Sequence, residues 1–136
     1  MVVGSARKLI VIDDDPVDVR FVMRAFSDAG SPVEITHVAD AEVASDRLDS
    51  EAFDYILLDI NMPGTSGMDL LKRLRGRART AVTPIIMLSS SSSTVDVNRA
   101  YENGANAYAV KPSTLSGYRE FAEGFTRFWV DVAVSP

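Results

Sequence analysis

Five short apolar runs recur along the chain at intervals of 22 to 30 residues: Leu9–Ile12, Val33–Val38, Tyr55–Leu58, Ile85–Leu88 and Ala107–Val110. Runs of this length, rich in β-branched and aliphatic residues and bounded by polar or turn-forming segments, predict strands. Four of the five are nearly continuous in apolar residues rather than alternating, the pattern of strands buried on both faces of a parallel sheet. Val33–Val38 carries Glu34, Thr36 and His37 and suits an edge.

Each predicted strand is followed by a segment of helical periodicity. In the first, Val19, Val22, Met23, Phe26 and Ala29 share one stripe. Its start is marked by Asp15 as cap, Pro16 at the first helical position and Asp18 three residues beyond the cap, and its end by Gly30. Further helices are expected at about 40–50, 66–76, 94–103 and 114–132. Five strand–helix units imply a doubly wound α/β fold, a (βα)5 three-layer sandwich with a five-stranded parallel sheet and right-handed crossovers. The length of 136 residues predicts one domain, 1–136, with a core at about 7–132 and no output domain.

Composition narrows the function. A net charge of −5 argues against nucleic-acid binding. The absence of cysteine excludes a disulfide framework and thiolate chemistry. No apolar run approaches the roughly 20 residues of a membrane span, and Met1–Lys8 has no leader-like apolar core. A soluble, cytoplasmic protein is the expectation.

In such sheets, residues just beyond the strands' carboxyl ends crowd together and form the ligand site. Here they are Asp13, Asp14 and Asp15 after the first strand, Asp59, Ile60 and Asn61 after the third, Ser89 at the end of the fourth, and Lys111 and Pro112 after the fifth. Clustered carboxylates need a cation, and oxygen-only ligands suit Mg²⁺ or Mn²⁺. A carboxylate can also accept a phosphoryl group when a metal and an ammonium offset charge on the transferring oxygens.

On these residues the sequence resembles the receiver domain of two-component response regulators over nearly its whole length. Asp13 and Asp14 look like the family's acidic pair, Tyr55–Gly64 like its phosphoacceptor segment, Ser89 like its switch hydroxyl and Tyr108–Pro112 like its aromatic and lysine motif. The intervals agree: 45 residues from Asp14 to Asp59, 30 on to Ser89 and 22 more to Lys111. The resemblance implies the flavodoxin-like strand order 2-1-3-4-5. It further implies that Asp59 is phosphorylated by a sensor histidine kinase or phosphotransfer protein. Asp14, Asp59 and the Asn61 carbonyl would bind Mg²⁺, with Asp13 acting through a water or by pairing with Lys111. Phosphorylation would draw Ser89 and the Tyr108 ring inward and alter the surface of the fourth helix, fifth strand and fifth helix, about Thr94–Asn103, Ala107–Val110 and Leu115–Asp131. A cis Lys111–Pro112 bond is also implied. The end Phe128–Pro136 resembles single-domain regulators paired with bacterial phytochrome kinases, which often dimerise through that face.

Other features have plainer readings. Ser90–Ser93 reads as a polar loop in which Ser93 caps the fourth helix and Asp96 completes a capping box. His37, the one histidine, is expected to be structural and remote from the acidic cluster, so a phosphohistidine donor must be another protein. Lys72, Arg73, Arg75, Arg77 and Arg79 read as a solvated basic face. Phe121, Phe125, Phe128 and Val132 form a core stripe; Trp129, Val130 and Val134 are open to either core packing or a dimer contact. Two rival functions are a haloacid-dehalogenase-type phosphohydrolase, which needs a second Asp where Asn61 stands, and an interaction module that is never phosphorylated.

Overall fold

The computed structural model describes residues 6–136; residues 1–5, part of the segment read above for a leader, lie outside the described residues. Five strands alternate with helices: β1 (Lys8–Ile12), α1 (Pro16–Asp28), β2 (Glu34–Val38), α2 (Ala41–Ser50), β3 (Tyr55–Leu58), α3 (Gly67–Arg75), β4 (Ile85–Ser89), α4 (Thr94–Glu102), β5 (Ala107–Val110) and α5 (Leu115–Phe125). All pairings are parallel, in the order β2-β1-β3-β4-β5. Among the described residues no helix is long and apolar enough to cross a membrane.

The period-two alternation of the strands divides the core into two layers. Ile10, Ile12, Ile56, Leu58, Ile85 and Met87 pack beneath α2, α3 and α4 with Leu48, Leu70, Leu71 and Leu74. Leu9, Val11, Tyr55, Leu57, Ile86 and Leu88 face α1 and α5 with Val22, Phe26, Ala122 and Phe125. Each fully buried aliphatic side chain stabilises the fold by about 1.5–3 kcal/mol. The apolar runs are continuous because β1, β3 and β4 need both faces apolar. β5 departs from that expectation: it is the second edge strand, and Val110 is 47% exposed.

The α1 start is as the sequence predicts. Asp15 accepts hydrogen bonds from the Val17 and Asp18 amides, Pro16 follows, and Gly30 has φ +64°. The α4 start differs, because Ser93 makes no side-chain cap bond. Asp96 instead accepts the Ser91 hydroxyl at 2.6 Å, and Ser91 Oγ accepts the Ser93 amide at 3.2 Å. These bonds anchor the turn after β4 and leave the first amides of α4 without a side-chain cap.

The last helix is not α-helical throughout. From Thr126 to Val132 the chain winds as a π-helix, whose wider i→i+5 turn rotates the apolar stripe. Phe125 stays buried, while Phe128 and Val132 are exposed, contrary to the core stripe expected of them. Trp129 and Val130 pack against the core instead, and the Tyr55 hydroxyl donates to the Trp129 carbonyl at 3.0 Å.

The predicted basic face is largely engaged. Arg75 donates to the Gly104, Thr80 and Thr83 carbonyls and to Asn106 at 2.8–2.9 Å, and burial pushes its guanidinium pKa down. Arg77 binds Ser45 and Asp49, and Arg73 binds Glu42. The carbonyls of the α3–β4 and α4–β5 loops draw Arg75 in, because buried acceptors must be paired, whereas Arg73 and Arg77 are held by residues of α2.

One close approach fixes the segment that follows β3. A Cβ at Gly67 would lie 1.9 Å from the Asp59 carbonyl oxygen, so only glycine lets α3 begin against that backbone. Gly124, exposed in α5, has nothing within 4 Å of such a Cβ. Gly67→Ala should therefore cost about 2 kcal/mol or more, whereas Gly124→Ala should stabilise by up to about 1 kcal/mol; urea melts of the two variants check both signs.

Candidate functional site

The sheet register delivers the predicted residues to one edge. Ile12 pairs with Val38 and with Leu58, and Ser89 with Val110, so Asp13, Asp59 and Lys111 each stand one residue past a paired position. Their backbone amides continue the ladder: Asp13 N–H to Val38 O at 3.2 Å, Asp59 N–H to Ile12 O at 3.0 Å and Lys111 N–H to Ser89 O at 2.8 Å. β1 and β3, paired on both sides, and β5, paired along β4, hold these side chains with little freedom.

Asp13, Asp14 and Asp59 each offer a carboxylate oxygen within 4.8 Å of the others. Asp13 and Asp59 are each only 4% exposed, while Asp14 is open to solvent. Lys111 Nζ lies 3.0 Å from Asp13 Oδ2, 3.1 Å from Asp59 Oδ2 and 2.7 Å from Asp18 Oδ2. The Lys111–Pro112 bond is trans, against the cis bond the resemblance implied. Trans is the lower-energy isomer by about 0.5–1 kcal/mol, and the lysine's length carries the ammonium to the cluster without the rarer form.

The electrostatics follow from burial. Desolvation raises the Asp13 pKa above the usual carboxylate value, outweighing the Asp15 amide bond and the Lys111 ammonium that lower it. Burial alone would lower the pKa of Lys111, but hydrogen bonds to Asp18 and Asp13 and the charges of Asp13 and Asp59 hold it above its ordinary value. Tyr118, beneath Asp18, is pushed up to about 12 by burial and by that carboxylate's charge. Three carboxylates therefore pair with one ammonium, and Asp14 stands beside two of them, with oxygen donors only. That donor set fits a hard divalent cation such as Mg²⁺ or Mn²⁺ and offers a soft metal nothing.

Next to this cluster lies a chain of polar contacts leading away from it. The Ser89 hydroxyl, fully buried, accepts the Ser91 amide at 3.3 Å and the Asn61 side-chain amide at 3.5 Å. Asn61 N–H in turn donates to Asp59 Oδ1 at 3.2 Å. Tyr108 is half-buried against the α2–α3–α4 layer, its hydroxyl donating to the Ser91 carbonyl at 2.8 Å and its amide to the Tyr101 hydroxyl at 3.0 Å. The loop after β4 is thus tied to β5 and, through Asp96, to α4.

Asp13, Asp14, Asp59, Asn61, Ser89 and Lys111 stand at this edge, whereas Tyr108 lies within β5 against the α2–α3–α4 layer. Three contributors carry no sequence signal of their role here. Asp18 reads as part of a helix cap, yet Asp15 performs the capping and Asp18 binds Lys111. Gly67 carries only the weak signal of a glycine in a helix's first turn. His37 was expected far from the cluster, but its Nε2 donates to the Asp13 carbonyl at 2.8 Å. Its place on β2 beside Val11 was readable only once the order of strands was known.

A doubly wound sheet carrying a buried aspartate, an acidic pair and a lysine at its carboxyl edge has the architecture of a receiver-type signalling domain. The chain belongs to the response regulator receiver domain family, whose model matches residues 9–122. The chemotaxis protein CheY of Pseudomonas aeruginosa is 31% identical over 119 residues, covering 85% of this chain and 93% of that protein. The phosphorylated cyanobacterial phytochrome response regulator RcpA superposes with a TM-score of 0.91 at 26% identity, covering 97% of this chain and 99% of that one. A response regulator in red light signaling of R. palustris superposes at 0.85 with 28% identity, covering 96% of this chain and 98% of that one.

Because the folded protein holds the Asp13 proton more tightly than the unfolded chain, ionising Asp13 at neutral pH costs stability. That cost disappears at acid pH, where the carboxyl is protonated in both states. In metal-free buffer Asp13→Asn should raise the melting midpoint at pH 7 by about 2–6 °C. The gain should shrink as the pH falls toward about 4 and be absent below it; calorimetric scans across pH check the sign.

Proposed function

We propose that this protein is a stand-alone receiver that takes a phosphoryl group onto Asp59 from a sensor histidine kinase or phosphotransfer protein, and that the added charge alters its protein-binding surface. The observation that carries the reading is the Asp59 carboxylate itself, buried, with Asp13 and Asp14 beside it and the Lys111 ammonium on Oδ2. A carboxylate so placed is a poor structural element and a good acceptor, since the groups around it are those phosphoryl transfer requires.

In the transfer an Asp59 carboxylate oxygen attacks the phosphorus of a phosphohistidine; the P–N bond breaks as the P–O bond forms, and the imidazole leaves with the electron pair and takes a proton from water. Lys111 offsets charge on a transferring oxygen. Asp14, Asp59 and the Asn61 carbonyl would hold Mg²⁺, with Asp13 acting through a water or through Lys111; when bound, the metal neutralises the carboxylates and orients the phosphoryl oxygens.

The phosphoryl group brings about two negative charges next to the buried Ser89 hydroxyl. Ser89 would turn toward it, and its amide contact with Ser91 would carry the shift to Tyr108, Asp96 and α4. Both states pre-exist, with phosphate biasing their balance. The readout face, α4, β5 and the helix after it, exposes Val95, Tyr101, Val110, Phe128 and Val132. A second copy of the chain is the contact proposed there, as in the single-domain regulators its C-terminal end resembles. Residence in the cytoplasm and absence of nucleic-acid binding belong to the same reading.

A dehalogenase-type hydrolase is disfavoured by Asn61, whose side chain leans toward Ser89 where that chemistry needs a second acid. Intact-mass analysis after incubation with acetyl phosphate and Mg²⁺ tests the proposal. Wild type should gain one phosphoryl group, and neither Asp59→Asn nor a chelated sample should gain any. No adduct together with no beryllofluoride binding would favour an interaction module that is never phosphorylated.

A further inference from the structure

The closest partner of Lys111 is a residue outside the metal-binding trio. Asp18 Oδ2 lies 2.7 Å from Lys111 Nζ, nearer than Asp13 at 3.0 Å or Asp59 at 3.1 Å. Asp18 stands in the first turn of α1 and is not among the three carboxylates whose oxygens lie within 4.8 Å of one another. Its other oxygen accepts the Tyr118 hydroxyl at 3.5 Å, so α1 and α5 both steady it. Helix capping does not account for it, because Asp15 already takes the Val17 and Asp18 amides.

An ammonium has three donor hydrogens, and three carboxylates share them here. A divalent cation at Asp13, Asp14 and Asp59 would draw on two of those three groups. Ammonium and cation repel each other and compete for the same oxygens, so filling the metal site works against Lys111 unless the lysine keeps a partner of its own. Asp18 is placed to be that partner.

We propose that Asp18 is a positioning residue that anchors the Lys111 ammonium beside the metal-binding carboxylates, so that lysine and divalent cation occupy the site together. The inference rests on the reading of Asp13, Asp14 and Asp59 as a metal site and does not require phosphoryl transfer. Without Asp18 the ammonium can pair only with Asp13 and Asp59, and it competes harder with the cation for both. The effect of Asp18 on metal affinity must therefore pass through Lys111, whereas a mere loss of negative charge would weaken binding whether or not the lysine is present.

A double-mutant cycle on Mg²⁺ affinity separates the two. Isothermal calorimetry would compare wild type, Asp18→Asn, Lys111→Met and the double variant, with Lys111→Gln replacing the methionine if that form is unfolded. Asp18→Asn should weaken Mg²⁺ binding about tenfold with Lys111 present, and at least about fivefold less than that without it. Asp18→Glu should recover most of the loss. Equal weakening in both backgrounds, or none in either, would overturn the proposal, as would a wild type that binds no Mg²⁺. A wild type that binds Mg²⁺ and shows the coupling, but gains no phosphoryl group from acetyl phosphate, would overturn the phosphoacceptor reading and leave this one standing.

Discussion

One ammonium among four carboxylates is the interaction on which the rest depends. Asp13 and Asp59 are almost completely buried, and like charges at such distances raise one another's energy unless a cation intervenes. Lys111 intervenes only in part, since three of the four carboxylates share its three donors. The sheet holds this arrangement in place because the backbone amides of Asp13, Asp59 and Lys111 are locked into ladder hydrogen bonds. The site is thus kept short of positive charge by a scaffold that does not yield, which makes a divalent cation and a phosphoryl acceptor chemically compatible there.

The scaffold owes its rigidity to the two-layer core. β1, β3 and β4 are buried on both faces, and α3 begins so close to the Asp59 backbone that Gly67 admits no side chain. The other side of the site is held differently. Ser89, the loop to Ser93, Tyr101 and Tyr108 are linked to one another by hydrogen bonds, with Tyr108 also packed against the α2–α3–α4 layer. Such bonds exchange partners at little net cost, so this is the side on which an added charge can be felt.

Strand positions and the residues just beyond them were legible because a parallel sheet leaves two simple marks: short continuous apolar runs, and polar residues that follow them at once. Asp13, Asp14, Asp59, Ser89 and Lys111 all fall at those points. The unread parts depend on tertiary placement. Asp18 looks like a helix-start acid until the lysine from β5 reaches it. His37 looks remote until β2 is laid beside β1. β5 carries an apolar run like its neighbours, yet lies at an edge that nothing local identifies. The stripe through Phe128 and Val132 fails because helical periodicity assumes α winding, and the chain changes to π winding at Thr126. Ser93 fails as a cap because Ser91, two residues earlier, already holds Asp96.

Charge arriving at Asp59 should be felt at Ser89, Tyr108 and the face beyond. Amide NMR spectra of the protein with and without Mg²⁺ and beryllofluoride test it most directly. Shifts are expected at Asp59, at Ser89–Ser91, at Tyr101 and Tyr108 and along α4, all absent from Asp59→Asn. Shifts confined to the immediate neighbours of Asp59, or equal shifts in Asp59→Asn, would contradict it.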